Sequence, residues 1–249
     1  MSVRLRVPVL AGFIVLLLHT GCGYRYYTGP LYPAPESERV LNLQVSDDGT
    51  VTFIDGRLEI GIRPMTDEAL NRHFHRHSHS GLESTNPYTF GDWEDPELQQ
   101  VPSRFTVFLV SVKNYMYPKM RLDPSRVVIV ADNGRRYTPL TLRQLEDYYL
   151  RYAIAYAGNK YARHRERMSI LRNSMYRDDF IFSGQEAEGY IVFPVLHHDV
   201  QRITVILRDV ALRFDVWDEP IEKVDVEYVF EREIGRIHVN EQVAAHSKP

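Results

Sequence analysis

Phe105-Thr106-Val107-Phe108-Leu109-Val110-Ser111-Val112-Lys113-Asn114 is the stretch on which the fold class turns. Ten residues rich in β-branched and aromatic side chains, with no glycine or proline, predict a strand. Downstream, strands are expected at Val127 to Ala131 and, beyond a turn at Asp132-Asn133-Gly134-Arg135, at Arg136-Tyr137-Thr138. Others follow at Asp179 to Phe182, Glu188 to Pro194, Arg202 to Leu207, Ala211 to Val216 and Val224 to Phe230. Seven or more short strands with turns about every 8–12 residues predict a β-sandwich over residues 104 to 230 rather than a βαβ fold. The 16 tyrosines and 11 phenylalanines agree with a strand-rich chain.

Two departures from the strand pattern flank this core. Upstream, Val40 to Val45, Val51 to Ile54 and Leu58 to Ile62 are separated by Asp47-Asp48-Gly49 and Asp55-Gly56. Asp-Gly between alternating apolar residues signals a hairpin, so residues 39 to 103 are expected to form an N-terminal β-hairpin extension. Thr66 caps a short helix there, and residues 71 to 103, polar and without a period, are expected to be a long surface loop. Within the core, residues 140 to 176 predict an inserted helical hairpin. Thr141 caps a run in which Leu142, Leu145, Tyr148 or Tyr149, Tyr152, Ala153 and Tyr156 recur at helical spacing. Gly158-Asn159 breaks it, and a second helix from about Lys160 to Met175 presents Tyr161, Met168, Leu171 and Met175 on one face.

The first thirty residues carry a different signal. Arg4 and Arg6 precede an apolar run from Val7 to Leu18, the profile of a cleavable signal peptide and shorter than the roughly 20 residues of a spanning helix. His19-Thr20-Gly21-Cys22 follows, and it resembles the lipobox of bacterial lipoproteins, with a small residue before the cysteine; His19 stands where that family usually has leucine. The resemblance implies cleavage of residues 1 to 21 and diacylglycerol on Cys22. Cys22 is the sole cysteine, so the chain can form no internal disulfide. Acyl chains contribute about 0.8 kcal/mol per buried CH₂, and two or three of them anchor durably. Gly23, rather than the aspartate that retains lipoproteins at the inner membrane, favours the outer membrane, facing the periplasm. Residues 22 to 38, with three prolines, are expected to form a lipidated tether, and residues 231 to 249 a polar tail.

Residues 104 to 230 also resemble the immunoglobulin-like lipoprotein domains of bacterial cell envelopes, on Val112-Lys113-Asn114, Asp132 to Tyr137 and Gly189-Tyr190-Ile191-Val192-Phe193-Pro194. That resemblance implies an immunoglobulin-like β-sandwich. Without residues 1 to 21 the chain has 28 basic and 33 acidic side chains, a formal charge of −5. Such a balance disfavours nucleic-acid binding.

Candidate chemistry sits in three places. His73, His75, His77 and His79 alternate; in an extended segment they would share one face with neighbours about 6.6 Å apart, within reach of one zinc, copper or nickel ion. The alternative is a solvated, pH-responsive loop. Lys160, Arg163, Arg165, Arg167 and Arg172 on the second helix form either a face for anionic headgroups, lipopolysaccharide or an acidic partner, or a solvated surface. Tyr148, Tyr149, Tyr152 and Tyr156 line a recognition groove or pack as core. No nucleophile elbow, phosphate loop or His-Glu-x-x-His is present, and His197-His198-Asp199 fits a turn better than a catalytic pair. The expectation is a non-enzymatic, lipid-anchored interaction or assembly component of the envelope, with an envelope protein or glycan as partner. The alternative is a metal- or ligand-binding lipoprotein using the histidine loop.

Overall fold

A computed structural model of the chain describes residues 24–35, 42–79, 81–94, 102–155 and 160–238. The expected signal peptide, Cys22 and the Gly158-Asn159 break lie outside the described residues. The fold is mainly β, 43% strand and 21% helix, in several antiparallel sheets of which one curls into a half-barrel. In chain order the first strands are β1 (Tyr24–Thr28), β2 (Tyr32–Pro33), β3 (Leu43–Val45), β4 (Val51–Asp55) and β5 (Leu58–Met65). After α1 (Asp67–His73) come β6 (Thr106–Asn114), β7 (Lys119–Arg121), β8 (Val127–Ala131) and β9 (Arg136–Tyr137). The helices α2 (Leu142–Ala155) and α3 (Lys160–Ser174) precede β10 (Phe180–Phe182), β11 (Gln185–Phe193), β12 (Arg202–Phe214), β13 (Pro220–Glu231) and β14 (Ile234–His238).

One sheet runs β11-β6-β5-β4-β3. The hairpins of residues 43 to 65 thus supply three of the five strands of this sheet and do not stand apart as an extension, because β5 pairs along β6 from Leu58↔Asn114 to Met65↔Val107. Glycines at positive φ close their turns, Gly49 at 81° and Gly56 at 59°, where a side chain would be strained. The second sheet runs β10-β7-β12-β13-β2, with β8 also on β12 and β9 on β8. β12 is continuous where the sequence predicts two strands. Asp209, at φ 53°, forms a bulge that absorbs the register shift between Leu207 and Val210.

The β6–β11 pair is the middle layer of the molecule. Phe108, Val110 and Val112 with Ile191 and Phe193 face a core shared with Ile129, Ile203, Val205, Val226, Tyr228 and Phe230 of the second sheet. The Tyr228 hydroxyl crosses between sheets to donate to the Ile60 carbonyl at 2.7 Å. On the opposite face, Val107, Tyr190 and Val192 belong to a second core with Leu70, Tyr88, Leu145, Tyr149, Met168 and Leu171. The unbroken apolar run from Val107 to Val110 reflects this two-sided burial. Where the helices no longer cover the sheet, Ser111 and Lys113 line an open polar groove with Thr52, Glu59 and Gly61.

The helical hairpin falls where the spacing predicts it. Thr141 Oγ1 accepts from the Gln144 amide at 3.3 Å while the Gln144 side chain takes the Thr141 N–H at 2.8 Å, a reciprocal cap. The chain leaving α3 is fastened to β11, the Tyr176 amide donating to the Tyr190 carbonyl at 2.9 Å. The N-terminal segment expected as a tether and the expected tail meet as a two-stranded ribbon, Tyr24↔His238 through Thr28↔Ile234. Among the described residues no helix is long and apolar enough to cross a membrane.

Gly189 makes the α3 crossing possible, since a Cβ there would lie 2.5 Å from the Tyr176 backbone nitrogen and Cα. Gly189→Ala is expected to destabilise the protein by about 1–3 kcal/mol, as overpacking against backbone does. Urea titration of the two proteins measures it.

Candidate functional site

The histidine segment is not extended. Thr66 caps α1 through an Oγ1 that accepts the Ala69 N–H at 3.1 Å, and the helix runs to His73. His75–His77 then form a 3₁₀ turn. Helical geometry places successive alternate residues on different sides, so the predicted common face of His73, His75, His77 and His79 does not form. The His73 ring stands edge-on to Phe74 and Tyr190. His77 Nδ1 is within 3.1 Å of Thr85 Oγ1 and 3.0 Å of Glu166 Oε1, and His79 Nδ1 is 3.9 Å from Asp92. Among the described residues no three His, Cys, Asp or Glu side chains are grouped to hold a metal ion.

Of residues 71 to 103, expected as a long surface loop, the described ones up to residue 94 are knit by buried polar side chains. Asn86, fully buried, donates through Nδ2 to Asn71 Oδ1 at 3.2 Å and Ser78 Oγ at 3.0 Å, and its Oδ1 accepts the Tyr88 amide at 2.9 Å. Ser84 Oγ donates to the His77 carbonyl at 2.7 Å, and Asn71 Nδ2 to the Gly91 carbonyl at 2.9 Å. Such a network rigidifies a segment because each unmade bond inside it leaves a desolvated polar group.

Two arginines of α3 turn toward this segment, which divides the predicted basic face. Arg163 forks onto Glu83 with contacts of 3.0 and 2.7 Å. Arg167, 9% exposed, donates to the Ser84 carbonyl and lies 5.1 Å from the Tyr149 ring centroid. Burial pulls its pKa below the usual arginine value. Arg172 sits 3.7 Å from Glu146 on α2, and Arg165 is exposed. Lys160 begins α3. Tyr149 is core: its hydroxyl donates to the Pro87 carbonyl at 2.6 Å and accepts from Arg104 at 3.1 Å. The Tyr148 ring packs edge-on to Phe105. His197 and Asp199 pair at 2.6 Å in an exposed turn between β11 and β12.

Among the described residues the most exposed large apolar side chains sit elsewhere, at the β12–β13 turn and the start of β13: Val216 is 86% exposed, Trp217 81% and Ile221 67%. The turn that carries them is fixed. Asp215 Oδ1 accepts the amides of Trp217 at 2.9 Å and Glu219 at 2.8 Å, and the Asp215 amide donates to the Glu219 carbonyl at 2.9 Å. Asp218, at φ 66°, is ion-paired with Lys119. The far end of β13 pairs with β2 at Glu231↔Tyr32, beside the N-terminal ribbon. At ~3.3 Å per residue, the length of β13 between the tip and the ribbon is at most roughly 35 Å. Sequence reading missed this tip because alternation carries the strand on to Val216. The available signal was Asp215-Val216-Trp217-Asp218-Glu219, one of two tryptophans set among acids.

No protein-family model, curated protein or solved structure matches the chain.

Asp67 opens α1, and burial pushes its carboxyl up to about 6, against the pull of a Ser103 hydrogen bond and the Arg104 charge. A helix N-terminus favours an ionised carboxylate by about 0.3–1 kcal/mol, less than the roughly 3 kcal/mol of a two-unit rise, so burial dominates. The folded state therefore retains the proton between 3.8 and about 6, and stability falls as pH rises through that window. Asp67→Asn is expected to exceed wild type by about 1–2 kcal/mol above pH 6 and to lose that advantage below about pH 4. Urea melts across this range check it.

Proposed function

We propose that this chain is a lipid-anchored, non-enzymatic cell-envelope protein that acts as an interaction or assembly module. Acyl chains on Cys22 hold it at one end, and the Val216–Trp217 tip contacts an envelope protein or glycan at the other. The observation that carries this reading is the placement of that rigid apolar tip a strand's length from the ribbon that starts at Tyr24, two residues after Cys22. An exposed tryptophan on a turn already fixed by hydrogen bonds loses little conformational freedom on binding, and such residues are typical interface hot spots.

The immunoglobulin-like assignment is part of the proposal. Two antiparallel sheets over a shared core support it, with strands β3 to β5 and the helical hairpin as elaborations. The apolar run before Gly21-Cys22 supports export and lipidation, and Gly23 supports the outer membrane, with the domain facing the periplasm. The separation of tip from ribbon suits a partner away from the anchoring bilayer.

Two variants separate the two halves of this reading. Cys22→Ser is expected to keep the wild-type melting temperature but move from the membrane to the soluble fraction. Trp217→Ala is expected to stay with the membrane and to lose photo-crosslinks made from position 221, with partner affinity reduced at least about thirtyfold, the equivalent of a 2 kcal/mol hot spot. Membrane retention of Cys22→Ser contradicts the anchor, and unchanged crosslinks in Trp217→Ala contradict the tip.

A further inference from the structure

A cleft of about 580 Å³ opens between the helical hairpin and the edge of β11. Its floor is Tyr190-Ile191-Val192. One wall is the segment Thr138 to Leu142, fastened where the Leu140 amide donates to the Val192 carbonyl at 2.7 Å. The opposite wall is the end of α3 and its continuation through Met175 and Tyr176, which is fastened at Tyr190. A 3₁₀ turn at Pro124–Arg126 closes a third side. The two strand-edge bonds, two residues apart on β11, hold the walls open over a floor whose Tyr190 and Val192 side chains belong to the helix-side core. The inner surface is largely aliphatic, from Leu140, Leu142, Leu171, Met175 and Val192. Cavities of this size and character are those that take small apolar-bodied ligands.

The charges at the mouth are unequal in what they have left to offer. Asp178 is engaged by the fork of Arg121, and Asp123 accepts both the amide and the hydroxyl of Ser125, at 2.8 and 2.6 Å. Arg172 and Arg177 are held more loosely, in ion pairs of 3.7 Å with Glu146 and Asp179 that stop short of hydrogen bonds, with side chains 56% and 74% exposed. The rim carboxylates are thus hydrogen-bonded within the protein, while the two loosely paired, exposed guanidiniums still present N–H donors to solvent. A planar guanidinium fork matches a carboxylate or phosphate head.

We propose that this cleft binds a single-chain anionic amphiphile, its acyl chain along the aliphatic walls and its head at Arg172 and Arg177. The site is distinct from the Trp217 tip and does not depend on the anchor at Cys22. It gives Arg172 a role separate from those of Arg163 and Arg167, which are tied to residues 83 and 84.

The test is titration of the full chain carrying Cys22→Ser, so that its own lipid cannot compete, with a dansyl-labelled fatty acid. Unlabelled fatty acids of increasing chain length and the matching alcohols then serve as displacers. Saturable binding is expected, tightening by about fourfold per added CH₂ until the cleft is filled. The acid should bind at least about tenfold more tightly than the alcohol, and Arg172→Glu with Arg177→Glu should remove that preference. Thr138→Trp, at an exposed lining position, should block the chain and abolish binding while leaving the melting temperature unchanged. No saturable binding overturns the proposal. So does binding unaffected by Thr138→Trp, or binding indifferent to both the head group and the two arginines.

Discussion

Val107, Tyr190 and Val192 on one face of the β6–β11 pair, and Phe108, Ile191 and Phe193 on the other, are all withdrawn from water. A strand pair apolar on both faces cannot set its register by alternation, because a slip of one residue exchanges one buried set for another. Register must come from positions that tolerate no exchange. Asn114, fully buried at the end of β6, is one: its amide donates to the Tyr117 and Ile181 carbonyls at 2.9 Å, and its Oδ1 accepts the Tyr117 amide at 2.9 Å. Gly189 is the other, since only a residue without a Cβ lets Tyr176 cross β11. These two positions align both sheets and the helical hairpin on the central pair.

The same logic governs residues 66 to 94. With one cysteine the chain can staple no segment by an internal disulfide, and this segment is held by Asn71, Ser78, Ser84 and Asn86. The arginines of α3 complete it: Arg163 takes Glu83 and Arg167 the Ser84 carbonyl. Basic residues that look like a surface in sequence are thereby used as internal ties. The histidines, wound into a helix end and a 3₁₀ turn, are distributed around that framework. Among the described residues, the most exposed large apolar side chains lie at the Val216–Trp217 turn, held by Asp215 just before β13.

Most strands were legible because branched and aromatic residues between turn signals leave few alternatives, and Thr66 and Thr141 announced their helices by capping chemistry. The continuity of β12 was not legible, because Arg208-Asp209 reads as a break and only pairing with β13 reveals the bulge. Nor was the membership of β3 to β5 in the β6 sheet, since pairing between distant segments leaves no local mark. The site was less legible than the fold. His73 to His79 suggested a shared face only under an assumed extended backbone, and Arg163 and Arg167 have partners some 80 positions away in sequence. Trp217 was hidden by the alternation that leads into it.

The proposed attachment to a membrane through Cys22 is tested most directly by the intact mass of the native protein. The mass should equal that of residues 22 to 249 plus diacylglycerol, with any further acyl group, and the addition should be absent from the Cys22→Ser protein. A native chain of unmodified mass, with residues 1 to 21 still attached or cleaved elsewhere, would contradict it.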